Sequence, residues 1–433
     1  MGSSAITLLG GALIALLFAG YFAQRSLPPP APKVVGIDLG TTYSCIGGYQ
    51  SVTGEVIIYE DEEKHKCIPS VVAFTETEIL VGHKAVAQHE SNPYNTIYDA
   101  KRFIGKQFTK EQLDAEAPRY QFKMTLDNEG FVQFHVTHQG KALVVDPIAV
   151  GGYIAKTLKD TMERNLTIYS PNLCVVSVPA EFNQLQRNCT AKALATAGFK
   201  VLRVINEPTA AALAYGLHTK KGVSTVLVVD LGGGTLDVSL LLVQGGMFLT
   251  QAMAGNNHLG GQDFNNQLQN YILKDIQNHY HEALTEPGDL QLLRAAIETA
   301  KLNLTLHDAT ILTLPLASLG NKTYTHKVTR EEFERINEPL FEKILEPVGA
   351  VLEYTELERS EVDEIVMVGG STRIPAVRRL VSHYFNKSLN TAVDADLAVV
   401  SGVSIQAGII GGMWPLMVSA VEVQTSVKKI VFN

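Results

Sequence analysis

Val226-Leu227-Val228-Val229-Asp230-Leu231-Gly232-Gly233-Gly234-Thr235-Leu236-Asp237 is an apolar run that ends in a carboxylate, three glycines and a second carboxylate. The β-branched residues predict a buried strand, which Asp230 closes just before the glycines. Glycine permits positive φ and lets the backbone come close to a ligand. Successive N–H groups in such a turn can point into one concavity and hold phosphate oxygens. Asp230 and Asp237 flank that turn, where they can take the hydrated cations that accompany phosphate. Taken singly, the same residues describe an ordinary glycine-rich hairpin.

A second copy decides between the two readings. Val34-Val35-Gly36-Ile37-Asp38-Leu39-Gly40-Thr41-Thr42-Tyr43 repeats the order of apolar strand, Asp-Leu-Gly, small residues and a further strand. Two copies this far apart predict two related lobes, each offering a phosphate loop to one shared cleft. A third turn, Gly369-Gly370-Ser371-Thr372-Arg373-Ile374-Pro375, lies between a predicted strand and helix and suits a nucleotide's phosphate or ribose.

The rest of the chain fits that plan. At 433 residues it is too long for one ordinary core, and 46% hydrophobic with 18% charged residues is a globular composition. A net charge of −8 with no dense Lys/Arg run excludes a nucleic-acid footprint. Residues 33–218 read as lobe I and 219–397 as lobe II, with a closing helix and short tail over 398–433. Lobe I begins with a meander to about Ser70 and carries a small appended sheet over Gln121–Val145. It then alternates strand and helix from Leu173 to Tyr215, which predicts a mixed α/β sheet. Lobe II has a meander over Val226–Met253, helices over Asp263–His281 and Asp289–Leu304, and one helix over Arg330–Tyr354.

Ile6 to Ala23 is almost unbroken apolar sequence, followed by Pro28-Pro29-Pro30 in a stiff spacer over 24–32. Its length lies between a secretory leader and a short membrane span. A signal peptide removed near Phe22 or Ala23 is the favoured reading; a membrane association follows only if the segment stays uncleaved. Sequons at Asn165, Asn188, Asn303, Asn321 and Asn386 fit a secretory route. Cys45, Cys67, Cys174 and Cys189 show no metal-ligand spacing; the expectation is buried packing, with Cys174–Cys189 the one pair weighed as a bridge.

Five motifs in order identify a family resemblance. Ile37-Asp-Leu-Gly-Thr-Thr-Tyr-Ser44, Asn206-Glu-Pro-Thr-Ala-Ala-Ala212, Asp230-Leu-Gly-Gly-Gly-Thr235, His258-Leu-Gly-Gly261 and Val368-Gly-Gly-Ser-Thr-Arg-Ile-Pro375 resemble the seventy-kilodalton heat-shock chaperones. These belong to the actin and hexokinase superfamily. The resemblance runs from Lys33 to Gly411. It implies an actin-like, duplicated ribonuclease H-like α/β fold with a nucleotide cleft between two lobes. It also implies hydrolysis of ATP to ADP and phosphate with Mg²⁺ and K⁺. The tail after Gly411 is too short for the family's peptide-binding β-sandwich and lid, so the expectation is an ATPase core without them, in the endoplasmic-reticulum lumen or microsomes, or secreted. A nucleotide-gated interaction module with weak turnover is the alternative. Partners of J-domain or exchange-factor type are a family implication.

Residue by residue, the resemblance implies that Asp38 and Asp230 hold Mg²⁺ largely through water, which suits a cation that dehydrates reluctantly. Tyr43 and Asp237 join them at K⁺ sites. Lys101 places positive charge at the γ-phosphate, and Glu207 and Asp230 position the attacking water. Phosphoryl transfer depends mostly on such positioning and charge stabilisation. Gly40, Thr41, Thr42, Gly232, Gly233, Gly234 and Thr235 line the phosphates, with Thr235 also counted among the catalytic groups. Gly369, Gly370, Ser371 and Arg373 lie by the nucleoside with Asp396 behind them. Glu298, Lys301 and Thr305 are the matching adenosine contacts. Leu302 departs from the family's arginine at the base, which removes a cation–π contribution of roughly 0.5–2 kcal/mol. Without the other motifs, Lys101 reads as a solvated lysine, Glu207 as a helix-entry acid and Asp237 as a turn cap.

Overall fold

A computed structural model describes residues 10, 12–20, 31–166, 170–320, 322–413, 421–423 and 427–432. Residues 12–20 are helical and exposed, and no helix among the described residues is long and apolar enough to cross a membrane. The cleavage region near Phe22 and Ala23, the Pro28–Pro30 spacer and the Asn321 sequon lie outside the described residues.

Both β-branched runs become central strands. In lobe I, β1 (Val34–Leu39) pairs antiparallel with β2 (Tyr43–Gln50), and β2 with β3 (Glu55–Ile58) and β4 (Cys67–Pro69). On its other side β1 lies parallel to β5 (Leu173–Val178), which lies parallel to β6 (Lys200–Asn206). Lobe II repeats the arrangement with β7 (Thr225–Leu231), β8 (Leu236–Gln244), β9 (Met247–Asn256) and β10 (Glu364–Val368). There β7 is antiparallel to β8, β8 antiparallel to β9, and β7 parallel to β10. Strand order and direction therefore match across the two lobes: β5-β1-β2-β3 in one, β10-β7-β8-β9 in the other. This is the actin-like duplication.

Helices cover the sheets. Lobe I has α1 (Pro147–Asn165), α2 (Gln184–Thr196) and α3 (Glu207–Ala214). Asp146 caps α1 by accepting from the Ala149 N–H at 2.7 Å, and Asn183 caps α2 through Gln186. Lobe II has α4 (Gly261–Tyr280), α5 (Pro287–Leu306), α6 (Arg330–Glu342), α7 (Leu345–Tyr354) and α8 (Pro375–Phe385). The single helix expected over Arg330–Tyr354 is thus two. Pro347 has no N–H for the Lys343 carbonyl and its ring crowds it, so the turn at Lys343 and Ile344 opens. α9 (Ala398–Ile410) returns to lobe I and packs on β1, β2 and α3.

Each lobe has its own core. Ile37, Phe74, Phe103 and Phe134 are fully buried in lobe I, and Leu227, Phe264 and Phe333 in lobe II. Each such side chain contributes about 1.5–3 kcal/mol by leaving water. The cysteines depart from expectation. Cys45 and Cys67 face each other across β2 and β4 and form a disulfide, while Cys174 and Cys189 are free. The tail pairs with lobe II. β11 (Val421–Val423) and β12 (Lys429–Phe432) add to the outer edge of lobe II, both parallel to β9.

Candidate functional site

The two Asp-Leu-Gly loops leave the ends of β1 and β7 and meet between the lobes. Asp230 stands opposite Asp237 on β8, and Asp38 opposite Ser177 on β5, whose hydroxyl donates to Asp38 Oδ1 at 2.8 Å. A Cβ placed on Gly233 would lie 3.1 Å from the Thr42 side chain, so each loop leans on the other. A Cβ on Gly260, in the His258-Leu-Gly-Gly261 segment, would come within 2.6 Å of the Gly233 carbonyl carbon. The N–H groups of Gly261 and Gln262 donate to Gly232 and Gly233 at 3.0 and 2.7 Å. Gly369 has φ +82°, and a Cβ there would meet Asp230 Oδ1 at 2.7 Å. Ser371 Oγ donates to the Gly232 carbonyl at 2.9 Å, which locks the third turn to the second. On the lobe I side, Ser70 Oγ donates to the Gly40 carbonyl at 2.8 Å. Thr41 and Thr235 lie half-buried in these loops.

Charge is concentrated beneath the loops. Lys101 sits on the short turn Ala100–Arg102, which follows Asp99 at φ 57°, and its Nζ lies 2.5 Å from Glu207 Oε1. Glu207 opens α3. Burial raises the pKa of Glu207 and Asp38 against the opposing pull of Lys101. Asp230 rises well above the usual carboxylate range, through burial first and then repulsion from Glu207, Asp237 and Asp38. Burial works against the Lys101 ammonium, yet Glu207 and Asp38 outweigh it and leave that pKa raised. Lys101, Glu207, Asp38 and Asp230, expected to act together, therefore form one electrostatic cluster.

On the nucleoside side, Lys301 Nζ lies 2.9 Å from Glu298 Oε2 and donates to the Gly261 carbonyl at 3.4 Å. Asn265 also donates to Glu298, at 2.6 Å. Arg373 pairs with Asp394 and, at 2.9 Å, with Asp396, whose Oδ1 would lie 2.5 Å from a Cβ on Gly370. Leu302, beside Lys301 on α5, presents 58% of its surface to solvent as a free apolar face. Thr305 is held within α5. Its hydroxyl donates to the Lys301 and Leu302 carbonyls of its own helix.

Several groups in the cleft carried no signal in the sequence. Arg102 bonds Asp99 and reaches across to the carbonyls of Asn257 and Gly234 at 3.0 and 3.3 Å, tying lobe I to the lobe II loop. Glu181, in the turn after β5, is driven up to about 7 by burial and then by Asp237, against the pull of Lys429. Lys429, from β12, pairs with Asp237 at 2.6 Å. Glu422, from β11, accepts from the Asn206 N–H at 3.0 Å and from Thr209 Oγ1 at 2.7 Å. Asp61, His65 and His83 are the one group of three metal-ligating side chains among the described residues whose ligand atoms all lie within 4.8 Å of one another. The His65 and His83 rings stack, with centroids 3.9 Å apart, and Asp61 already pairs with His65.

The donor set discriminates between the two implied cations. Asp38, Glu207 and Asp230 have pKa values raised by burial first and, for Glu207 and Asp230, by neighbouring carboxylates, with Lys101 as their nearby ammonium; this excess of negative charge suits a divalent cation held through its own water. Asp38 and Asp230 would hold Mg²⁺, which would neutralise phosphate charge when bound. The K⁺ set does not assemble as the resemblance implies. Asp237 is held by a lysine of the chain itself, and Tyr43 is 54% exposed.

Duplicated sheets, paired phosphate loops and a third glycine turn define an ATPase-type domain of actin-like fold. A family profile described as "Hsp70 protein" matches residues 34–424, and the chain belongs to that family. It is 48% identical to Heat shock 70 kDa protein 13 of Homo sapiens over an alignment of 471 positions, covering 99% of each chain. The protein of that name from Rattus norvegicus is 47% identical over the same coverage. Heat shock 70 kDa protein of Neurospora crassa is 42% identical over 381 residues, which make up 87% of this chain and 58% of that one.

Proposed function

We propose that the protein is a slow ATPase of the chaperone type, converting ATP to ADP and phosphate in the secretory pathway. The observation that carries this reading is the Lys101–Glu207 pair at 2.5 Å, set among Asp38 and Asp230 where the two phosphate loops meet. Glu207, held by Lys101, orients a water for attack on the terminal phosphate. Lys101 offsets the charge that develops there, and the loop N–H groups hold the remaining oxygens. No covalent nucleophile is needed.

The proposed compartment has separate support. The Cys45–Cys67 disulfide fits an oxidising environment, which the apolar leader and the exposed sequons at Asn188 and Asn386 also favour. J-domain or exchange-factor proteins are the class of partner proposed for the cycle. The deciding experiment is phosphate release by the protein with Mg²⁺, beside Lys101→Ala. Turnover lost in the variant supports the ATPase. Nucleotide binding with turnover in neither protein refutes it and leaves a nucleotide-gated interaction module.

A further inference from the structure

The C-terminal strand brings a charge into the cleft that the catalytic reading does not use. β12 runs parallel to β9 with Lys429 opposite Met253 and Val431 opposite Gly255. Ile430 and Phe432 pack against the lobe II core and hold the strand down. The Lys429 stem passes over Gly255, where a Cβ would lie 2.6 Å from its Cε, so the missing side chain is the groove it runs through. Its ammonium reaches Asp237 Oδ1 at 2.6 Å and Asn257 Oδ1 at 2.7 Å, with Glu181 Oε1 at 3.8 Å. Only 6% of the side chain is exposed.

This is an oxygen cage with a cation already in it. Asp237 and Asn257 belong to lobe II and Glu181 to lobe I, so the ammonium spans the cleft. Two carboxylates placed this close in a largely buried site need a positive charge between them. A hydrated monovalent ion could supply it and would exchange with solvent. An ammonium tethered by a docked strand does not exchange, and it offers three donors as a compact point charge.

We propose that Lys429 acts as the protein's own monovalent cation. Its ammonium fills the position between Asp237 and Glu181, fixes both carboxylates, and makes the docked C-terminal strand part of the nucleotide site. Lys429 is a positioning residue, and its consequence for turnover rests on the ATPase reading above. Nucleotide affinity and turnover then stay unchanged when K⁺ replaces Na⁺, and removing the ammonium creates a dependence on K⁺.

The test uses the full chain in two arms. In the first, nucleotide-free protein with Mg²⁺ is titrated with thallium(I), a K⁺ mimic followed by its own NMR signal. The wild type should bind none that K⁺ displaces, whereas Lys429→Met should bind thallium in a K⁺-displaceable way. In the second arm, calorimetry gives ADP affinity in KCl and in NaCl. The wild-type values should agree within about twofold, and Lys429→Met should bind roughly tenfold tighter in KCl. K⁺-displaceable thallium in the wild type, or a K⁺-dependent wild-type ADP affinity, overturns the proposal. So does a folded Lys429→Met that ignores both ions. If Lys429→Met does not fold, the wild-type thallium titration still decides. If no form binds ADP, the ATPase reading fails while the thallium arm still judges Lys429.

Discussion

Glu207 is placed by a helix crossing, and a single methyl group tests that crossing. α9 passes over α3 at Gly402, against the run Ala210-Ala211-Ala212, which is fully buried. A Cβ on Gly402 would lie 2.8 Å from the Ala210 Cα and nearer still to its carbonyl group. The obstacle is backbone, so no rotamer change can relieve it. Gly402→Ala must therefore push α3 away from α9. Overpacking of this kind costs roughly 3 kcal/mol, and helix propensity returns up to about 1 kcal/mol. The net loss of about 2 kcal/mol lowers the melting temperature by roughly 4–8 °C for a unit the size of one lobe. Glu207 moves with the first turn of α3 and away from Lys101. A displacement near 1 Å in a catalytic group can cost about 100-fold in turnover. Gly349→Ala is the control. It lies inside α7, its nearest neighbour to a Cβ is the Tyr384 hydroxyl at 3.7 Å, and the same substitution should gain about 0.5–1 kcal/mol. Thermal unfolding of both variants, with phosphate release, reads the difference. A Gly402→Ala protein that melts at or above the wild type refutes the crossing.

Three further outcomes are expected. Alkylation of the native protein without reductant should label Cys189 and spare Cys174, whose thiol burial pushes up to about 12, while Cys45 and Cys67 react only after reduction and unfolding; mass mapping checks this. Asp363 accepts from the Ser224 N–H at 2.8 Å and the Thr225 N–H at 2.9 Å at the start of β7, so Asp363→Ala should cost about 1 kcal/mol near neutral pH. Burial alone would raise that carboxyl, but these bonds outweigh it and leave its pKa below the ordinary 3.8. Its contribution is therefore complete above 3.8 and lost as pH falls through the lower folded value, so denaturant titrations of variant and wild type should converge in strong acid. Leu302→Arg should tighten ADP binding by roughly 2–30-fold in calorimetry, from a restored cation–π contact of about 0.5–2 kcal/mol. Unchanged affinity would place the base elsewhere.

The duplicated fold was legible because its signal is local. Asp38 and Asp230 each end an apolar strand beside residues that alone permit the turn, and the pattern occurs twice. Lys101 and Glu207 are 106 residues apart and were paired only through the family resemblance, since nothing near either one says what it faces. The helix over Arg330–Tyr354 was misjudged because its apolar periodicity continues through the break. Pro347 acts on the residue four positions earlier, outside its own turn. The disulfide was missed for a related reason. Strand register sets Cys45 opposite Cys67, and register is not visible in composition or spacing.

Lys429 marks the limit of that kind of reading. Val421–Val423 and Lys429–Phe432 are short β-type runs in a tail that periodicity alone cannot attach to either lobe. What directs them is the free edge of β9, whose backbone groups need partners that the duplicated sheet does not supply. Once β12 takes that edge, parallel register carries Lys429 over Gly255 to Asp237, and Glu422 on β11 independently reaches Asn206 and Thr209 beside Glu207. Both tail side chains thus cross from the lobe II edge to lobe I. A tail that only covered a sheet edge would have no reason to place one charge at Asp237 and the opposite charge at Asn206 and Thr209. Replacing Ile430 with Asp should therefore release both contacts at once, since it removes the apolar anchor without touching either charge. Hydrogen exchange would then show deprotection along β9 and at the first turn of α3 together. Deprotection of β9 alone would show that the tail covers an edge and nothing more.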